Sequence, residues 1–448
     1  MHPSTHVVVI GAGIGGLTLG VVLRRCGLRV TILEQALKIS DIGAGIQLAP
    51  NATRILRRFG LLDEILKHAN HPSGTIIRRY CDDAEIGPRA HKRASQSRFD
   101  TPMLVIHRGD LQNVLREAAL REGVLLRTNA RVTAVDTELI ARVTLASGEQ
   151  VVGDVLVGAD GVNSIVRRTM ATCSGLEDRI MPTGDAAYRI LIPRDKLVDN
   201  VEFLTEIDEL LSTRWLGPDG HIMAYPIRGN TLYNVVMVHP QKMDANSDNE
   251  TDIWVRKGHI KDLCSFYGKW SPRVQQLVGC IDPAQITEWP LNTHSNLPTW
   301  FSNRACLLGD ACHPMLPYVA QGAAQAMEDS AALGVCLFSA DNLQTAFSTY
   351  ESVRKERAEY IQGSASAMRK VLHLYDGPEQ KDRDARMRAP RTSDWKHPDL
   401  WEDPSFQELV WAHDVVLEVQ RKFASSTNFH QKMSNVNLCT NGEYNMKA

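Results

Sequence analysis

Residues Val7–Ala36 read VVVIGAGIGGLTLGVVLRRCGLRVTILEQA, and no other stretch constrains the fold as tightly. Val7–Ile10 is a short β-branched run suited to a buried strand, and Gly11, Gly13 and Gly16 follow it as G-x-G-x-x-G. An apolar helix extends to about Arg25, Gly27 ends it, and Arg29–Leu33 makes a second strand. Gly11 allows a tight turn, Gly13 lets a pyrophosphate approach the backbone, and Gly16 lets helix and strand pack closely. The helix N-terminus offers unpaired N–H groups to the phosphates. Glu34 closes the second strand, where a carboxylate can accept hydrogen bonds from an adenosine ribose. These features specify a dinucleotide site without choosing between FAD and NAD(P).

At 448 residues the chain is long for one core, so two or three domains are expected. Fifty basic and 52 acidic residues give a net charge of −2, which excludes an electrostatic case for nucleic acid or an anionic membrane. Arg-Arg pairs at 24–25, 57–58, 78–79 and 167–168 are scattered and read as solvated surface. The nine cysteines contain no C-x-x-C, which argues against a disulfide framework or structural zinc and for a reducing compartment. MHPSTHVVVIGAG runs almost directly into a strand without a leader pattern, and no apolar run is long enough to span a bilayer. A soluble, cytoplasmic monomer or homodimer without metal is the expectation.

Two further strand ends carry polar residues. DVLVGADGVNSIVR, 154–167, takes a buried strand, Val155–Val157, into Gly158-Ala159-Asp160-Gly161 and then a helix bearing Ser164 and Arg167. LLGDACHPMLPYVAQGAAQAMED, 307–329, takes the strand Ala305–Leu308 into Gly309-Asp310 and a helix from about Gln321. Asp310 can accept hydrogen bonds from a sugar-alcohol chain, and amides near Gly322 can face an anion or a polarised carbonyl. Pro314 and Pro317 stiffen the loop between, Gln321 is placed near the reacting face, and His313 reads as a buttress rather than a catalyst. Arg108 precedes a helix, Gly109–Arg121, with Asp110 as its expected N-cap.

In order and spacing, over roughly Val7 to Arg369, these three motifs resemble the fingerprints of the single-component flavoprotein aromatic hydroxylases, closest to the salicylate hydroxylase-like subgroup. The run Ala320-Gln321-Gly322-Ala323-Ala324 is similar to that subgroup, although Ala324 stands where the broader family often has Asn. The resemblance implies an α/β fold: a Rossmann-like FAD-binding domain, an inserted antiparallel β-sheet substrate domain and a C-terminal helical or irregular extension. The corresponding ranges are 1–75, 105–180 and 285–370 for the first, 76–104 and 181–284 for the second, and 371–448 for the third. It implies non-covalent FAD, reduction by NADH or NADPH, and insertion of one oxygen from O2 into an aromatic, phenolic substrate through a flavin C4a-hydroperoxide. By the same resemblance Gly11, Gly13, Gly16, Glu34, Gln47, Arg108, Asp160, Asp310, Gly322 and Ala323 would contact FAD. Asp160-Gly161 would also meet the passing nicotinamide, and Pro317 would lie against the reactive edge of the flavin.

Between the second and third motifs, from about Thr183 to Glu288, short period-two runs such as AAYRILIP, HIMAYPIRGN and TLYNVVMVHP predict an antiparallel sheet walling the substrate site. By the same resemblance, Arg189, which follows Tyr188, is the candidate to bind a substrate carboxylate or phenolate. His221 and Tyr225, four apart on one strand, share a face, and His221 is the candidate base. Helices are expected at Ile253–Tyr267 and Trp270–Val278, an exposed loop at Gln241–Asp252, an irregular surface stretch at Tyr375–Asp403, a helix at Glu408–Phe423, and a frayed end from Ser425. Alternatives left open are epoxidation of an alkene or indole, a NAD-dependent dehydrogenase, and a non-catalytic flavin-binding protein.

Overall fold

The His6–Ile10 strand lies inside a six-stranded sheet ordered Phe301–Ser302, Ala305–Leu307, Val155–Gly158, His6–Ile10, Arg29–Leu33, Leu125–Arg127. Every neighbouring pair is parallel except the first. This computed structural model describes residues 2, 4–39, 43–91, 98–241, 256–389 and 396–424. The uninterrupted apolar runs are explained by burial on both sheet faces, and Val7, Val8, Val9 and Val155–Val157 are fully enclosed. The helices Ile14–Arg25 and Gly322–Ser339 pack against each other over this sheet.

From His6–Ile10 the chain first adds Arg29–Leu33 on one side and later Val155–Gly158 on the other. A crevice therefore opens beyond the carboxyl ends of the strands at this reversal. Register makes the consequence specific: Ile10 pairs with both Leu33 and Gly158, and Gly158 pairs with Leu307. The motifs that follow these four residues thus leave the sheet at one level.

The second large sheet has eight strands, ordered Arg256–Lys257, Thr287–His294, Ile180–Pro193, Leu232–Pro240, Gly220–Ile227, Leu211–Gly217, Gly74–Arg79, Ala90–His91. It departs from the expected antiparallel sheet in one place, because Leu211–Gly217 runs parallel to Gly74–Arg79, which arrives from before the second motif. Its alternation is also not one of core against solvent. Trp215, Ile222, Ala224, Tyr233, Val235 and Met237 pack on one side with residues of the helices Val201–Asp208, Ile260–Tyr267 and Pro272–Gly279. The opposite side faces a cavity.

Several local expectations are corrected. The first of the two expected helices spans only Ile260–Tyr267, and 253–255 lie outside the described residues, as does the loop beyond Gln241. The second begins at Pro272, where Ser271 caps it by accepting from the Val274 amide. The described part of 375–403 is not irregular surface: Pro378–Arg388 is a helix, and Met387 and Trp401 are buried beside Phe406, Val410 and Trp411, while 390–395 lie outside the described residues. Glu408–Phe423 is two helices, Pro404–Trp411 and Val415–Phe423, the second capped by Asp414. Residues from 425 onward lie outside the described ones.

In two of the arginine pairs one member is not solvated. Arg167 is 1% exposed and ion-paired to Asp178 at 3.0 Å, while Arg78, also buried, meets Asp83 and Glu206. All eight described cysteines are free, and no described helix is long and apolar enough to cross a membrane.

Candidate functional site

Two adjoining cavities occupy the crevice, of about 470 and 360 Å³, and they share Gly13, Ala159 and Gly161 in their walls. The first lies among Gly11, Gly13, Glu34, Asp160, Gly161 and Arg168. Gly11 has φ +101°, and a Cβ there would sit 2.4 Å from the Ala159 carbonyl oxygen; a Cβ on Gly16 would sit 2.0 Å from that of Gly11. Both positions therefore need glycine for the close strand–turn–helix crossing. In front of Gly13 there is open space. The Ile14–Arg25 helix has no side-chain cap, so its first amides face that space with the positive end of the helix dipole.

The Glu34 carboxylate accepts from the amides of Ala12 at 2.9 Å and Ala36 at 2.8 Å, which fixes it at the cavity edge with acceptor capacity remaining. Asp160 accepts from the Ile165 amide through Oδ2, while Oδ1 is buried without a hydrogen bond. Burial pushes its carboxyl up from the usual range.

The second cavity is bounded on one side by Gln47, Arg108, Asp310, Pro317, Ala320, Gly322 and Ala323. The Arg108 guanidinium makes no hydrogen bond to a described residue; burial lowers its pKa, opposed by the nearby charges of Asp310 and Glu34. Asp310 opens onto the cavity, and its carboxyl is raised by enclosure despite His313, Arg108 and Arg189 nearby. Gln47 Oε1 is buried and unpartnered. The Gly322–Ser339 helix also lacks a side-chain cap and presents its N-terminus here.

The loop before that helix is held from beneath. Asp329 accepts from the Gly309 amide at 2.9 Å, lies 2.6 Å from His313 Nε2, and accepts from Arg354 at 2.7 Å. His313 is thereby a buried buttress, as expected. Gln321 is corrected: it is fully buried and absent from the cavity wall, its Oε1 accepting from Asn51 at 3.0 Å and Gln325 at 3.1 Å. Arg357 and Asn51 secure Glu328 in the same network. Asp110 is also corrected, since His107 caps the Arg108–Arg121 helix and Asp110 instead pairs with Arg228 at 2.6 Å.

The opposite wall belongs to the eight-stranded sheet. Arg214, Met223, Val236 and Arg189 form one row across four adjacent strands and all line the cavity. His221, Tyr225 and Val238 occupy the same face one pleat away. Arg214 is neutralised by Asp399, whereas Arg189 meets no carboxylate among the described residues, and its Nε is buried without a partner. Its guanidinium carbon stands 4.9 Å over the Trp289 ring, and burial lowers its pKa. The Tyr225 hydroxyl also makes no hydrogen bond to a described residue, and burial pushes it well above the usual tyrosine value. Burial, then His373 and Arg214, hold His221 well below the usual histidine value, so it is neutral at pH 7.

Apart from Gly16, which acts within the turn, and the buried Gln321, the candidate cofactor and catalytic residues therefore line one of two joined cavities. Sequence reasoning missed Arg214, Met223, Val236 and Val238, whose common face depends on inter-strand register. The phosphate-facing amides, the open ground before Gly13 and the unpartnered Gln47, Arg108 and Asp160 atoms fit an extended dinucleotide. The opposite wall sets the apolar Met223, Val236 and Val238 beside Arg189, Arg214, His221 and Tyr225.

Such a fold and site define a dinucleotide-binding protein whose nucleotide cleft opens into a second cavity. The FAD binding domain family matches residues 4–364, and the chain belongs to it. It is 33% identical over 418 residues to the FAD-dependent monooxygenase OpS4 of Beauveria bassiana (strain ARSEF 2860), covering 92% of this chain and 95% of that one. It is 35% identical over 370 residues to 6-hydroxynicotinate 3-monooxygenase of Bordetella bronchiseptica, covering 81% and 91%. A structure of a salicylate hydroxylase substrate complex superposes with a TM-score of 0.74 at 24% identity, covering 93% and 97%, and shares the fold. The chain is an FAD-dependent monooxygenase, an oxidoreductase of the aromatic hydroxylase family.

Proposed function

We propose that the enzyme hydroxylates an electron-rich aromatic ring, a phenol bearing an anionic group, at the expense of NADH or NADPH and O2. The observation that carries this is the Arg189 guanidinium, which meets no described carboxylate, in a row with Met223 and Val236 on the wall of the cavity that Pro317 also lines. A cation kept there without a protein partner is costly unless a ligand anion completes it. The names of relatives such as 6-hydroxynicotinate 3-monooxygenase support a small, hydroxylated, carboxylated ring.

Gly11, Gly13, Gly16, Glu34 and Asp160 would hold the adenosine and pyrophosphate parts of FAD without a covalent link, and Gln47, Arg108, Asp310, Gly322 and Ala323 the remainder. The flavin, once bound and reduced, supplies the activated oxygen atom. Arg189 binds the ring's anionic group and so fixes its orientation. Tyr225 donates a hydrogen bond to the ring oxygen. Neutral His221 takes the phenol proton, which raises electron density in the ring where oxygen is added. Met223, Val236, Val238 and Leu316 exclude water.

We assign the eight-stranded sheet to substrate binding and the six-stranded sheet to the cofactor. The free cysteines support a cytoplasmic location. The test is NADH and NADPH consumption by the FAD-loaded enzyme with matched phenols, with and without a ring carboxylate. Stimulation and ring hydroxylation by the carboxylated members support the proposal. Epoxidation of an indole or alkene with no response to phenols would replace it.

A further inference from the structure

The row that carries Arg189 ends in a second arginine that the proposed reaction does not use. Arg189, Val236, Met223 and Arg214 stand on four adjacent strands and line one cavity. Neighbouring strands are about 4.8 Å apart, which sets the backbones of the two arginines about 14 Å apart, with only apolar side chains in the row between them. Each arginine lies near a different polar residue of the next pleat, Arg189 near Tyr225 and Arg214 near His221.

The two ends differ in charge. Arg189 meets no described carboxylate. Arg214 is 4% exposed and donates through Nη1 to Oδ2 of Asp399, which is 1% exposed. The C-terminal segment sets Asp399 in place independently of Arg214. Its Oδ1 accepts from the Trp401 amide at 3.0 Å, and the Trp401 ring stands edge-on to Trp411 at 5.1 Å. Asp403 ties the segment down by accepting from the amides of His397 at 2.9 Å and Phe406 at 2.8 Å. The Arg214 guanidinium is thus held in one orientation, yet its Nε is buried without a hydrogen bond to a described residue.

Stability does not account for this arrangement. A buried ion pair contributes no more than apolar side chains filling the same space, and an unpaired buried N–H costs stability further. A ligand atom accepting from Arg214 would complete it. Asp399 already cancels the positive charge, so the fitting partner is a neutral acceptor. A second anion there would meet the Asp399 carboxylate with no cation left to balance it.

We propose that Arg214, oriented by Asp399, donates to a neutral acceptor on the substrate and so sets which phenols the enzyme takes. The substrate is then a phenol with an anionic group at one end, for Arg189, and a carbonyl, amide or ether oxygen at the other, for Arg214. Met223 and Val236 cover the ring between. The inference rests on the reading of this cavity as the site of a carboxylated phenol, and narrows it from a bare hydroxybenzoate to an acylated or two-ring relative. It also gives the C-terminal segment a part in substrate choice, through Asp399.

The test titrates FAD-loaded enzyme by flavin fluorescence with hydroxybenzoates substituted at each open ring position in turn. The substituent is an acetyl group, an isopropyl group of nearly the same shape, or a second carboxylate. At one position or more the acetyl member should bind about tenfold or more tightly than its isopropyl counterpart, with the dicarboxylate weakest. Arg214→Met combined with Asp399→Asn leaves no orphaned charge and should bring the acetyl-to-isopropyl ratio within about twofold of one. Asp399→Asn alone frees the guanidinium charge and should shift the preference about tenfold or more toward the carboxylate, which a merely structural pair would not do. Flavin absorbance reports that each variant retains its cofactor, and the wild-type ratios decide the inference where one does not. Hydroxybenzoate binding with acetyl and isopropyl members equal in wild type, or a double variant that keeps the wild-type ratio, overturns the role of Arg214 alone. Failure of the wild type to bind any hydroxybenzoate overturns the carboxylated-phenol reading and this inference with it.

Discussion

Replacing Arg189 with Met should separate stability from function. The substitution keeps an unbranched side chain of similar length in the row formed with Val236, Met223 and Arg214, and removes only the charge and donors. Folding should not suffer. The guanidinium meets no described carboxylate and has a buried, unpaired Nε, and an unsatisfied buried donor costs about 1–3 kcal/mol. Against this stands the loss of the cation–π contact with Trp289, about 0.5–1 kcal/mol. The net effect is a variant more stable by about 1 kcal/mol, visible as a higher thermal unfolding midpoint. Binding should move the other way. A charge-assisted contact to a ring carboxylate contributes about 1.5–3 kcal/mol. At about 1.4 kcal/mol per tenfold, its loss weakens binding by about 10- to 150-fold. The assay is flavin fluorescence titration with a hydroxybenzoate and with the phenol lacking its carboxylate, beside thermal unfolding of the ligand-free protein. Carboxylate affinity within about twofold of wild type, or a variant less stable by more than about 1 kcal/mol, would refute the role given to Arg189.

Gly16→Ala places a Cβ 2.0 Å from the Gly11 carbonyl oxygen, so the variant should lose FAD on gel filtration; full retention of the yellow colour would contradict the crossing described here. His221→Ala should lower single-turnover hydroxylation by about 10²- to 10⁴-fold. Because burial holds His221 low, the wild-type acid limb should lie well below pH 6.5; an acid limb at 6.5 or above would remove His221 as the base. Burial would raise the Glu328 and Asp329 carboxyls, but Arg357 and Arg354 for Glu328, and His313 and Arg354 for Asp329, hold both below their unfolded values. Their contribution to stability is therefore complete above about pH 5 and is lost as pH falls through the folded values. Glu328→Gln should flatten the fall in unfolding midpoint from pH 5 to 3; an unchanged slope would show that the network does not set acid stability.

The cofactor side was legible because its signals are one-dimensional. Gly11 and Glu34 follow their strands directly, Asp160 and Asp310 follow theirs within three residues, and the four strand-end residues Ile10, Leu33, Gly158 and Leu307 align in one row. The substrate wall was legible only along single strands. His221 and Tyr225 share a face by their spacing, but Arg214 and Val236 join Met223 and Arg189 through pairings between strands, which no local pattern records. Gln321 was misplaced because its partner Asn51 lies 270 residues away and draws the side chain under the loop. Arg167 and Arg78 look like surface charges until Asp178, Asp83 and Glu206 fold against them. The stretch around Trp401 is polar in composition, yet a few apolar side chains suffice to bury it.

The central claim is tested most directly by turnover under ¹⁸O2 with NADH or NADPH and a carboxylated phenol, followed by product mass. A hydroxylated ring carrying one ¹⁸O atom, formed with one reduced nicotinamide consumed per product, is the predicted result. Nicotinamide consumption that yields only hydrogen peroxide across the carboxylated phenols, or a product whose new oxygen comes from water, would contradict it.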